Sequence, residues 1–93
     1  MPGVIVTAQV EDAKKWEEGF RTHGELFRNQ TVTKPIRFTV MDNNEVAIYF
    51  QPEDLETYLA LMDSPATEEA MTFDGVKRET VKIYTLDKEF DPG

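Results

Sequence analysis

His23 is the only histidine in the chain, and an imidazole is the side chain whose proton moves most readily near neutral pH. It follows Trp16 and Phe20 and precedes Phe27 at steps of four, three and four, the spacing of one face of a helix. An imidazole on that aromatic face can serve as general acid or base toward an apolar compound. The same pattern also fits a core histidine that gives one hydrogen bond. Phe38 and Phe50, from two strand-like runs, and Tyr58, from a later helical run, are candidates to complete an aromatic ligand pocket. Equally, these rings are what a small domain needs for its core. Tyr49, Arg37, Thr7 and Gln9 offer a hydroxyl, an anion clamp and amide contacts, or the contents of an interface, where Tyr and Arg are common.

Other chemistries are closed off. There is no cysteine, so thiolate metal ligands, disulfides and a Cys nucleophile are out. The acidic pairs Glu17/Glu18, Glu53/Asp54 and Glu68/Glu69 are adjacent in sequence and diverge around a helix, which suits solvated faces and not a metal site. No glycine-rich phosphate loop or dinucleotide fingerprint is present, and the reading expects neither cofactor nor metal. Ser64, the only serine, is better placed as a helix cap before Pro65 than as a nucleophile.

The elements that must position these residues follow from periodicity. Val4 to Val10 alternates as a strand, and Glu11-Asp12 then offers a cap for a helix carrying Trp16, Phe20, His23 and Phe27. Ile36–Met41 and Val46–Phe50 read as a hairpin across Asn43-Asn44, with Pro35 suited to an edge. Pro52 suits a first helical position, ahead of a Leu55, Leu59, Met62 stripe flanked by Tyr58. A second short helix begins at Ser64-Pro65 and stops at Asp74-Gly75. A last strand runs from Arg78 to Leu86, and a charged tail has Phe90 as its anchor. The order strand, helix, strand, strand, broken helix, strand specifies an α+β, ferredoxin-like split βαβ fold: a four-stranded antiparallel sheet with both helices on one face. Strand parity puts Val4, Val6, Ala8, Val10, Ile36, Phe38, Val40, Val46, Ile48 and Phe50 under the helices. Ile5, Met41, Ala47, Tyr49 and Tyr84 fall among polar groups on the other face, a mixture that suits pairing with a second copy.

Ninety-three residues fit one domain, residues 1–93, with 40% apolar and 30% charged side chains. The net charge of −8 makes nucleic acid an unfavourable partner, since binding it depends on Lys and Arg. No apolar run is long enough for a membrane span, and the segment after Met1-Pro2-Gly3 has no basic leader, so a cytoplasmic protein is expected.

The helix pattern Trp16, Phe20, His23, the Pro52-Glu53-Asp54-Leu55 opening and the Ser64-Pro65-Ala66-Thr67-Glu68-Glu69-Ala70-Met71 run leading into Gly75-Val76 resemble the dimeric α/β-barrel superfamily, from about Val4 to Leu86. That superfamily includes antibiotic-biosynthesis monooxygenases, small polyketide cyclases and muconolactone isomerases. The resemblance implies two sheets packed face to face in a homodimer, and a pocket between sheet and helices near His23. The functional expectation is a cofactor-independent cyclase, isomerase or monooxygenase acting on an apolar or aromatic compound, with His23 as acid and base. The alternative is a noncatalytic homodimeric module in which His23 is a core residue. A third reading, an acidic protein docking to a basic partner, rests on charge alone.

Overall fold

Alternation of large apolar and smaller polar residues from Val4 to Val10 gives a strand with one greasy side. That strand lies at the centre of the computed structural model, which describes residues 3–93. In chain order the elements are β1 (Gly3–Gln9), α1 (Ala13–Phe20), α2 (Gly24–Asn29), β2 (Arg37–Met41), β3 (Glu45–Phe50), α3 (Leu55–Met62), α4 (Pro65–Phe73) and β4 (Lys82–Leu86). The strands form one sheet in the order β2-β3-β1-β4, with every neighbouring pair antiparallel. This is the ferredoxin-like α+β arrangement expected from the element order. Pro35 precedes an edge strand, as its missing N–H requires.

The register fixes which side chains share a face. Val6 lies opposite Ile48 on one side and Ile83 on the other, and Phe38 lies opposite Ile48. Val4, Val6, Ala8, Val10, Val46, Ile48 and Phe50 are buried in one cluster with Trp16, Phe20, Tyr58 and Met62 from the helices. On the opposite face Ile5 lies between Tyr49 and Tyr84, and Tyr49 lies opposite Arg37. That face is open: Tyr84 is 50% and Leu86 46% exposed.

Local chemistry explains the boundaries. Asp12 caps α1 by accepting the N–H groups of Lys14 and Lys15, and Ser64 caps α4 by accepting that of Thr67, with Pro65 at its first position. Asn43 and Asn44 both adopt positive φ (64° and 57°) in the β2–β3 turn.

Several expectations are corrected. The helix carrying Trp16 to Phe27 is broken after Phe20. Thr22 donates its hydroxyl to the Gly19 carbonyl (2.6 Å), and the N–H of His23 donates to the Phe20 carbonyl (3.2 Å), a tightened turn ahead of the weak helix former Gly24. Pro52 does not open α3. It bridges to Val32, and Asp54 supplies the cap by accepting the N–H of Thr57. Tyr58 and Met62 are the buried residues of α3, while Leu59 is exposed. The last strand begins at Lys82, because Arg78–Thr80 forms a 3-10 turn whose Thr80 hydroxyl accepts the N–H of Gln9. Phe90 anchors nothing and is 83% exposed.

Candidate functional site

A cavity of about 70 Å³ lies between the helices and the greasy face of the sheet. Its floor is Val6, Ala8, Val46, Ile48 and Phe50, and its walls include Trp16, Phe20, His23, Phe27, Tyr58 and Met62. The rings form a connected series. Trp16 stacks on Phe20 (4.7 Å between centroids), Phe20 meets Phe27 (5.1 Å), Phe27 meets Phe50 (5.6 Å) and Phe50 meets Tyr58 (5.6 Å). Phe38, expected among the ligand residues, is not in this wall. It sits edge-on behind Trp16 and Phe20 (5.6 and 5.3 Å), with the Arg21 guanidinium over its ring. Thus Trp16, Phe20, Phe27, Phe50, Tyr58 and His23 are brought together, and Phe38 supports them from outside.

His23 does not stand alone. Its Nε2 lies 2.9 Å from Oδ2 of Asp74, a residue that neither spacing nor motif singled out. The His23 side chain is 20% exposed and that of Asp74 only 5%. Asp74 ends α4, where its own N–H bonds the Ala70 carbonyl. Gly75, at φ 75°, then turns the chain so that its carbonyl accepts the N–H of Glu11. This turn anchors the carboxylate beside the α1–α2 break. Gly19 makes the fit possible, because Asp74 Oδ1 occupies the place that a Cβ on residue 19 would take. Burial pushes the Asp74 carboxyl above the usual carboxylate range, and His23 partly opposes that rise through its charge and its hydrogen bond.

The ionised carboxylate can only accept, so it fixes the proton on Nε2 and leaves the Nδ1 lone pair as the base. Among the described residues nothing hydrogen-bonds Nδ1. Two buried polar atoms in the lining residues also lack partners: Asp74 Oδ1 and the Tyr58 hydroxyl. Burial pushes the Tyr58 hydroxyl well above its ordinary value, which keeps it protonated. A second polar pair in the lining is complete. Gln30 Nε2 donates to Thr67 Oγ1 (2.8 Å), and Thr67 in turn donates to the Leu61 carbonyl (2.7 Å). The partly exposed lining residues are His23, Leu26 and Phe27 at α2, Ala70 and Met71 on α4, and Val76 and Val81 between α4 and β4.

No family model and no curated protein matches the chain. Solved structures do. A Bordetella bronchiseptica protein provisionally named an antibiotic biosynthesis monooxygenase superposes with a TM-score of 0.75 at 11% identity, covering 96% of this chain and 97% of its own. SnoaB, a cofactor-independent oxygenase from Streptomyces nogalater, gives 0.71 at 10% identity over 98% and 95% of the two chains. This chain has the fold of the antibiotic-biosynthesis monooxygenases. A Mycobacterium tuberculosis protein matches along the whole of both chains, with a TM-score of 0.61 at 10% identity. At these identities the likeness carries the fold alone, and the site stands on its own geometry.

Proposed function

We propose that the chain binds a small apolar or aromatic compound in the cavity under its helices and, as a homodimer working without a cofactor, moves a proton on that compound through His23. The observation that carries this reading is the part-buried His23–Asp74 pair in the wall of an otherwise largely apolar cavity. A histidine oriented by a carboxylate through one ring nitrogen is a base through the other. Removing a proton from a phenolic or enolic compound is the opening step shared by cyclisation, isomerisation and cofactor-independent oxygenation. In the last of these, dioxygen is the co-reactant. The oxygenase of the same fold from Streptomyces nogalater supports that branch.

The homodimer rests on the open sheet face, where Tyr84 and Leu86 stand exposed beside Ile5 and Tyr49. Sedimentation at micromolar concentration is expected to give two chains for the native protein and one for Tyr84→Glu. A native protein that sediments as one chain contradicts this part.

A noncatalytic module is the second reading, favoured by the size of the cavity. Its volume of about 70 Å³ is well below the roughly 300–1,000 Å³ of most ligand sites. Native mass spectrometry, followed by turnover of whatever compound is retained, separates the two. His23→Ala is expected to stay folded and to keep the compound without converting it. If instead it loses stability and the fate of the compound is unchanged, His23 is a core residue.

A further inference from the structure

Tyr58 is fully buried, lines the cavity, and among the described residues has no hydrogen-bond partner for its hydroxyl. Leaving such a group unpaired is unfavourable, and phenylalanine would fill the same place without that cost. The volume sets a ceiling: about 70 Å³ is roughly half the ~150 Å³ of an engineered cavity that holds benzene, so the buried end is no larger than one six-membered ring. The surrounding rings, Phe20, Phe27, Phe50 and Trp16, offer flat apolar contact to such a ring.

We infer that the buried end of the ligand is a single hydroxylated or keto-bearing six-membered ring whose oxygen accepts a hydrogen bond from the Tyr58 hydroxyl. The inference rests on the reading of the cavity as the binding site. Because burial holds the tyrosine in its protonated form, it is a donor throughout the physiological range. In the proposed reaction a proton leaves the ligand for His23 Nδ1, the electron pair stays on the ligand, and the resulting oxyanion is the group that Tyr58 stabilises. Substrate and histidine together conserve charge: a neutral pair becomes an anion and an imidazolium.

The test uses 4-fluorophenol and 4-fluorotoluene, which differ only by a hydroxyl in place of a methyl, with binding to the purified protein read by fluorine NMR. Tyr58→Phe is expected to weaken 4-fluorophenol by about three- to tenfold and to leave 4-fluorotoluene unchanged or tighter, which also shows that the variant is folded. Equal effects on both compounds, or none on either, overturn the role of Tyr58 while leaving the cavity as a binding site. Failure of both compounds to bind the native protein overturns the inference and the reading beneath it together.

Discussion

Two polar pairs tie α2 to α4, and they differ in kind. At the far end of α2, Gln30 and Thr67 are neutral and buried, and the Thr67 hydroxyl is fully used, since it accepts from Gln30 and Ser64 and donates to the Leu61 carbonyl. At the near end, His23 and Asp74 are ionisable, and the carboxylate keeps one oxygen without a partner. Both pairs close the same cavity. A pair kept only to hold helices together gains nothing from a buried ionisable group, whose desolvation opposes folding. The contrast marks Gln30–Thr67 as the structural tie and His23–Asp74 as the chemical one.

The largest effect is expected from breaking the structural tie. Thr67→Val removes an acceptor and a donor at once and leaves the Gln30 amide buried without a partner, which should lower stability in urea by about 2–3 kcal/mol. The tautomer of His23 should be unaffected. Gly19→Ala attacks the chemical tie by overpacking, because the new methyl meets the Asp74 carboxylate; a loss of about 1–3 kcal/mol is expected, together with a detached His23 ring visible in its nitrogen shifts. A smaller and pH-dependent effect is expected from Asp74→Asn. The native carboxyl titrates above its unfolded value, so its favourable contribution is complete below the ordinary carboxylate pKa and is lost as pH rises through the folded one. The variant should therefore match the native protein at low pH and gain on it as pH rises through the folded carboxyl's range, with turnover lowered. The smallest change is expected from Ser64→Ala. It removes the α4 cap and one neighbour of Thr67 for a cost of about 1 kcal/mol or less in thermal unfolding.

Much of this arrangement is legible in the sequence, for stated reasons. Strand parity assigns Tyr49 and Tyr84 to one face and Ile48 and Phe50 to the other because the side-chain period is fixed at two. Helical spacing brings Trp16, Phe20, His23 and Phe27 to one side even though the helix breaks between Phe20 and Gly24, since the break preserves the side they face. Asp74 is a different matter. It reads as part of a helix stop with Gly75, and its partner lies 51 residues away, so only the tertiary fold shows that its carboxylate reaches His23. Gln30 and Thr67, separated by 37 residues, are hidden for the same reason. Phe38 misleads because spacing assigns a face and not a depth: it is on the helix side of the sheet but at the edge strand, behind the wall formed by Trp16 and Phe20.

One proton decides whether His23 is a base. Long-range nitrogen–proton NMR on His23, at a pH where the ring is neutral, reports which ring nitrogen carries hydrogen. A carboxylate at Nε2 requires the proton there, with Nδ1 bare, and Asp74→Asn should disturb that preference. A ring found with its hydrogen on Nδ1, or one whose tautomer is indifferent to Asp74→Asn, contradicts the proposed base.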